Sequence, residues 1–162
     1  MSYAESILPE FDQETANTRK LLECVPDELL NWSAGPGFKT IGWNANHLAE
    51  IVGWVGGTLT QTEWNIAPEG GPAYQSPALT SRDEILALFD SNLAEARKAI
   101  EAVDESELDV MWQLKHGEQV LFNLPRRAVI RTFVINHLIH HRAHLSLYLR
   151  LNEVKVPFMY GG

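Results

Sequence analysis

The sequence predicts an all-α protein folded as a four-helix bundle, with a short hairpin before the last helix. Three observations support this fold class: four long segments carry apolar residues at helical spacing, a long loop separates the second segment from the third, and only one short stretch alternates as a strand does. We expect the 162 residues to form one domain, 1–162, since single domains commonly contain roughly 100–200 residues.

The first predicted helix runs from about Tyr3 to Val25. Its apolar residues recur three and four positions apart, which is typical of one buried helix face. Ser2 and Glu5 have the spacing of a capping box, in which each side chain binds a free backbone N–H at the helix start. Pro26 follows, so we expect the helix to end there.

The second predicted helix runs from about Thr40 to Gln61. One stripe along it contains Trp43, His47, Ile51, Trp54 and Thr58. Gly53, Gly56 and Gly57 each cost this helix about 1 kcal/mol relative to alanine. They allow either close packing of a neighbouring helix or fraying of the helix end. Residues 62–79 are rich in proline and glycine and are predicted to form a long loop.

Two further helices complete the predicted bundle. Ser81 begins the third helix with a second capping box, and this helix extends to about Val103. Residues 108–122 alternate around His116–Glu118, which predicts a hairpin. Pro125 suits the first turn of a fourth helix that reaches Leu151. The long loop after the second helix permits a connection other than simple up-down-up-down.

The charge and cysteine content exclude several classes of function. A net charge of −8 disfavours nucleic-acid binding, which needs a basic face, and the 13 basic residues form no block suited to an anionic membrane. Cys24 is the only cysteine, which excludes an intrachain disulfide and a cysteine-based zinc site. The amino terminus lacks signal-peptide order and no stretch is apolar enough for a membrane span. We therefore expect a cytoplasmic protein.

Four histidines lie within eight residues of the fourth predicted helix. They are His137, His140, His141 and His144. At about 100° per residue, His141 and His144 fall within about 40° of His137 on the apolar face, and His140 is displaced by about 60°. The opposite face, with Arg142, Ser146 and Arg150, is expected to be solvated.

Burying several imidazoles costs free energy unless their nitrogens find partners, and a metal ion is one such partner. His137 and His141 lie at i and i+4, so their side chains share one face a turn apart. His140 and His144 have the same spacing, so spacing alone leaves both pairs open. Position 138 is Leu, so the glutamate of the HExxH metalloprotease motif is missing.

His47 is the best candidate for a third ligand, because it lies on the apolar stripe of the second helix between Trp43 and Trp54. Three histidines would leave a coordination position open, as in catalytic zinc sites. Glu50, one turn on, is a candidate to orient an imidazole or to act as a base. The two tryptophans are candidate walls of a pocket. Histidines hydrogen-bonded in a purely structural core remain the alternative.

The sequence resembles the DinB/YfiT-like family at these residues. The run from Asn136 to Leu145, followed by Tyr148-Leu149-Arg150 and by a tail with Val156-Pro157 and Tyr160-Gly161, is similar to the last helix and tail of that family. The segment Gly42–Ala49 resembles the family's second helix. One departure is that Ala143-His144 stands where the family usually has Gly-Gln.

The resemblance implies a four-helix bundle whose metal is held by three histidines, here His47, His137 and His141. It favours this set over His140 and His144. Some relatives are transferases or isomerases that use low-molecular-weight thiols such as bacillithiol or mycothiol, and relatives that pair imply a homodimer.

The expected function is therefore binding of divalent zinc, nickel or iron by a protein that acts on a small molecule, activating a thiol or a water. The alternatives are a metal-dependent hydrolase and a stress protein that binds metal or ligand without turnover. The sequence does not decide whether the protein is an enzyme.

Overall fold

A computed structural model describes residues 2–160 of the chain, and within them six α-helices, a π-helical segment and three strands. The helices are α1 (Tyr3–Leu22), α2 (Ile41–Ile51), α3 (Trp54–Thr60), α4 (Arg82–Ala102), α5 (Arg126–Val129) and α6 (His137–Leu151), and the π segment is Ile130–Asn136. The strands are β1 (Glu63–Asn65), β2 (Met111–His116) and β3 (Gln119–Pro125). None of the helices between residues 2 and 160 has both the length and the apolar character needed to cross a membrane.

The helices form a four-helix bundle, as predicted. Its four arms are α1, α2 with α3, α4, and α5 with the π segment and α6. Helix α2 packs mainly against α4 and α6, and α1 packs mainly against the same two helices. The first two arms therefore lie diagonally across the bundle, so the chain does not follow simple up-down-up-down order. Nearly all of the apolar core lies between these arms.

The predicted capping box of α1 is confirmed. The Ser2 hydroxyl accepts a hydrogen bond from the Glu5 N–H (3.1 Å), and the Glu5 carboxylate accepts one from the Ser2 N–H (2.7 Å). At α4, Ser81 accepts a hydrogen bond from the Glu84 N–H (3.3 Å), but the Glu84 carboxylate accepts from the Thr80 N–H and the Ser81 hydroxyl instead. Both helices begin where these polar side chains satisfy their first free N–H groups.

The second predicted helix is broken, so the continuous helix expected from Thr40 to Gln61 is wrong. Helix α2 ends at Ile51 and α3 begins at Trp54. Helix α4 places the Asn92 side chain against Gly53. A β-carbon added at Gly53 would lie 2.9 Å from the side-chain amide carbon of Asn92. Gly53 thus allows close packing of a neighbouring helix, which is one of the two roles expected for these glycines. The homodimer implied by the family resemblance stays a prediction.

The predicted hairpin is confirmed and belongs to a larger sheet. Strands β2 and β3 pair antiparallel, and Gly117 adopts a positive φ of 60° at the turn, which favours glycine. Strand β1 pairs parallel to β2 and lies within residues 62–79, which were predicted to form only a loop. Three residues are too few to show a strand period, so sequence patterning does not detect β1. The sheet packs its own small apolar cluster against α5 and the π segment.

The fourth predicted helix also differs from the structure. Pro125 ends β3 and precedes α5, and residues 130–136 are wound as a π-helix before α6 begins at His137. Short π-helical insertions are rare and occur often at functional sites. The four clustered histidines all lie in α6, downstream of this irregularity. Their relative positions on a regular α-helix are therefore as predicted.

Arg142 is buried, so its predicted place on a solvated face is wrong. Its side chain is only 2% exposed and forms an ion pair with the Glu14 carboxylate of α1. It also donates to the Glu14 carbonyl oxygen (2.8 Å) and to the Tyr160 hydroxyl, which in turn donates to the Glu14 carboxylate (2.6 Å). A helical wheel cannot predict this burial, because the partner charge comes from another helix and the chain's tail.

We expect Glu14→Ala to lower the free energy of unfolding by about 3–5 kcal/mol, because Arg142 would keep a buried charge without its partner. Urea unfolding measures the change. The control is Asp12→Ala on the same helix, whose ion pair with Arg97 is more than two-fifths exposed and should contribute at most about 1 kcal/mol. Equal losses in the two variants would contradict the assignment of Glu14 as the counter-charge that buried Arg142 requires.

Candidate metal centre

Packing of α2 against α6 brings His47, His137 and His141 together. Each offers one ring nitrogen, and these three atoms all lie within 4.8 Å of one another. The Nε2 atoms of His47 and His137 are 3.3 Å apart. Two nitrogens bound tetrahedrally at about 2.0–2.1 Å from zinc would be about 3.3–3.4 Å apart, so this spacing suits one shared ion. The three histidines singled out from the sequence could therefore hold a metal ion.

His140 and His144 lie outside this cluster. Both side chains are exposed, and their rings pack on each other with centroids 4.3 Å apart. Within residues 2–160, no histidine, cysteine, aspartate or glutamate lies close enough to His140 and His144 to form a three-ligand metal site with them. The structure thus places only His137 and His141 of the helical histidines opposite His47.

Glu50 is buried and holds the His47 ring. One carboxylate oxygen lies 2.6 Å from the His47 Nδ1, and the other accepts a hydrogen bond from the Tyr74 hydroxyl. Because a carboxylate oxygen accepts hydrogen bonds, we assign the His47 proton to Nδ1, which leaves the Nε2 lone pair free. A carboxylate behind a histidine in this way is the usual second layer of a metal site.

Tyr74 is a site residue that sequence reasoning missed. It lies in the long segment after α3, where a single aromatic residue among glycines and prolines carries no periodic signal. The Asn46 side chain of α2 anchors this segment, accepting from the Leu79 N–H (2.9 Å) and donating to the Leu79 carbonyl (3.0 Å). Burial raises the pKa of the Tyr74 hydroxyl, and its hydrogen bond to Glu50 raises it further, so Tyr74 stays a donor.

The other two rings are oriented less tightly. The His141 Nδ1 lies 3.4 Å from the Asn44 Oδ1, and the Asn44 amide is held by its own hydrogen bond to the Thr40 carbonyl (2.9 Å). The His137 Nδ1 is buried and makes no hydrogen bond of standard geometry within residues 2–160. A metal ion at Nε2 would fix the proton on Nδ1, for which the Phe133 backbone carbonyl, one turn earlier, is the available acceptor.

Aromatic side chains surround the three imidazoles, and Trp43 and Trp54, the candidate pocket walls, are among them. Trp43 stacks on His47 with ring centroids 4.5 Å apart, and Trp54 lies 5.5 Å from His47 and 5.4 Å from His137. Phe133, from the π segment, lies 5.7 Å from His137. These rings remove water from one side of the cluster and lower the local dielectric constant, which strengthens electrostatic interactions there.

The environment keeps two of the imidazoles neutral. Burial, together with electrostatic repulsion from His47, lowers the pKa of His137 to about 4 and that of His141 to about 3. A histidine must be neutral to bind metal. Both rings are therefore ready to act as ligands at neutral pH without losing a proton first.

We expect the metal-free protein to lose stability as the pH falls from about 6.5 towards 4. Unfolded histidine binds a proton near pH 6.5, whereas folded His137 and His141 do so only near 4 and 3, so acid favours the unfolded chain in this window. Urea unfolding across this range should show a smaller pH dependence in His137→Gln. The exposed His116→Gln is the control and should keep the wild-type dependence. An unchanged dependence in His137→Gln would contradict the assigned shift.

Solved structures of known proteins share this fold. A DinB-like protein from Bacillus cereus ATCC 10987 is 24% identical, with a TM-score of 0.73 over 96% of this chain and 97% of its own. A DinB-like protein from Bacillus subtilis, YjoA, is 14% identical, with a TM-score of 0.69 over 95% and 96% of the two chains. YfiT from Bacillus subtilis, described as a probable metal-dependent hydrolase with an unusual four-helix bundle topology, is 14% identical, with a TM-score of 0.68 over 96% and 91%.

No curated protein matches the chain, and the family is identified by a family model. A model of the DinB superfamily matches residues 10–145, which include all three clustered histidines and most of the apolar core of the bundle. The chain therefore belongs to the DinB superfamily.

Proposed function

We propose that this protein is a divalent-metal-dependent enzyme that transfers a thiol to a small electrophilic molecule. The observation that carries the proposal is the convergence of three imidazole nitrogens from two helices within 4.8 Å. His47, His137 and His141 would hold the ion and leave at least one coordination position for a ligand. Zinc, nickel and iron all suit three imidazoles, and availability in the cell contributes to the choice.

A bound divalent ion lowers the pKa of a coordinated thiol or water and so supplies a nucleophile near neutral pH. The chain's own residues prepare this chemistry. Glu50 and Tyr74 fix the orientation and protonation of His47. Trp43 and Trp54 shield the imidazoles from bulk water.

The contacts of Glu50 support a thiol over a water as the activated group. Both of its carboxylate oxygens are engaged, one with His47 and one with Tyr74, so we assign Glu50 an orienting role instead of that of a base. A thiol, with an ordinary pKa near 8.5, needs less help to ionise than water. The thiol proton passes to solvent, sulfur bonds to the electrophilic atom, and the leaving group departs with the bonding electron pair.

Hydrolysis is the second candidate function. The observation that favours it is the structural likeness to YfiT, which is described as a probable metal-dependent hydrolase. In that case, water would take the place of the thiol as the nucleophile. Binding of metal without turnover is the non-enzymatic alternative.

We expect His47→Ala, His137→Ala and His141→Ala each to lose most bound metal, because two remaining imidazoles make a poor site. Elemental analysis of protein purified without an affinity tag measures the content. His140→Ala is the matched control on α6, and His116→Ala is the control on the hairpin; both should keep wild-type metal. Loss of metal in the controls, or full retention in the three cluster variants, would contradict the proposed ligands.

We expect metal-loaded protein to catalyse thiol transfer to 1-chloro-2,4-dinitrobenzene, and the metal-free protein and His47→Ala to lose this activity while remaining folded. The advantage over the metal-free protein should shrink as the pH approaches 9, where free thiols ionise unaided. The rate of thiol transfer is measured from the absorbance of the product as a function of pH, with several low-molecular-weight thiols. Thiol-independent cleavage of a p-nitrophenyl ester by the metal-loaded protein would instead support the hydrolase. No turnover in either assay would overturn both enzymatic proposals.

A further inference from the structure

A small cavity lies beside the imidazole cluster, between α3 and the sheet. Its volume is about 190 Å³, and it is lined by Gly53, Trp54, Gly57, Gln61, Trp64 and Trp112. Trp54 forms a wall of the cavity and also contacts His47 and His137. The cavity and the candidate metal centre therefore share a tryptophan.

The tryptophan walls are held in place by other aromatic rings. Trp54 stacks on Phe133 with centroids 4.9 Å apart, and Trp64 meets Tyr74 edge-on at 4.9 Å. Trp64 pairs across the sheet with Leu114, two residues from Trp112 on β2, so all three side chains project from the same sheet face. Walls that are already positioned spare a ligand the cost of ordering them.

Gly57 lines this cavity and contributes no side chain to it. A β-carbon added at Gly57 would have no heavy atom within 4 Å, so no neighbour within residues 2–160 requires glycine there. Glycine inside a helix nevertheless costs about 1 kcal/mol relative to alanine. Gly53, by contrast, is explained by its contact with Asn92. The space above Gly57 is thus unused by the folded chain, and a ligand can occupy it.

We propose that the cavity binds one neutral aromatic ring. A cavity of about 150 Å³ holds a benzene ring, so this one accommodates a ring with a small substituent. Three indole walls offer faces and edges for stacked and edge-on contacts with such a ring. No charged side chain of residues 2–160 lines the cavity, so a cation would exchange its hydration for contacts with the indole rings alone. Binding of the ring does not depend on the metal. Assigning the ring to the substrate's electrophilic part rests on the proposed function.

Titration of the metal-free protein with nitrobenzene tests the proposal. Of the five tryptophan indole N–H signals in a ¹⁵N-correlated NMR spectrum, those of Trp54, Trp64 and Trp112 should shift. The chemical shift of the Trp32 signal should not change, because Trp32 packs against Tyr148, away from the cavity. Single Trp→Phe variants assign the signals. Shifts of equal size at Trp32, or none at the three cavity tryptophans, would overturn the proposed site.

Two glycine variants in α3 provide a matched pair. Gly57→Leu should fill the cavity and weaken nitrobenzene binding at least tenfold. Gly56→Leu, whose β-carbon also meets nothing within 4 Å but which does not line the cavity, should change it less than twofold. Equal affinity in Gly57→Leu and wild type would overturn the proposal. Should Gly57→Leu fail to fold, as judged by circular dichroism, Trp64→Ala should weaken binding to the same degree.

A second ligand tests the class of molecule. Tetramethylammonium, a cation of comparable width, should bind at least tenfold more weakly than nitrobenzene, and comparable binding would overturn the neutral-ring assignment. Because the titrations use metal-free protein, their outcome is separate from that of the metal and activity assays. Nitrobenzene binding without metal-dependent turnover would support the cavity and contradict the proposed enzyme.

Discussion

Burial of imidazole nitrogens is the constraint on which the rest of the site depends. A ring nitrogen taken out of water must find a partner, or the fold loses free energy. His47 has Glu50 on one nitrogen, and its other nitrogen faces His137 at 3.3 Å. Two bare lone pairs at that distance repel, whereas a proton on one nitrogen or a cation bound by both makes the contact favourable, so the arrangement is suited to a shared cation. The supporting residues are arranged to keep these lone pairs directed at one point.

The support reaches beyond the two helices that carry the histidines. Glu50 is held by Tyr74, and the segment carrying Tyr74 is tied to α2 through Asn46 and Leu79. The π-helical segment ends immediately before His137 and supplies Phe133 to the aromatic wall. The long segment after α3 and the π-helical segment thus both contribute side chains to the surroundings of the imidazoles.

Helix α6 is held by polar contacts on two faces. One face directs His137 and His141 at α2, and another buries Arg142 against Glu14 of α1 and Tyr160 of the tail. A buried ion pair contributes less to net stability than to fixing one arrangement, because a rotated helix would leave the charge unpaired. The pair with Glu14 therefore restricts the rotation of α6 that would move the two histidines out of line.

Most of the bundle could be predicted from the sequence, because its signals are local. Helical periodicity, the Ser2 capping box and the turn at Gly117 each depend on residues close in the chain, and all three were confirmed. The i, i+4 spacing likewise placed two histidines on one face. Even the choice of His47 followed from its place on an apolar stripe, helped by the family resemblance.

What only the tertiary structure decided depends on contacts between distant segments. The break at Gly53 arises where α4 brings Asn92 against α2, and strand β1 exists because β2 lies beside it. Arg142 is buried because Glu14 meets it from 128 positions away. Tyr74 joins the site through a loop with no period of its own. Local pattern specifies which face of an element is apolar, but partners for buried polar groups are assigned only when the elements pack.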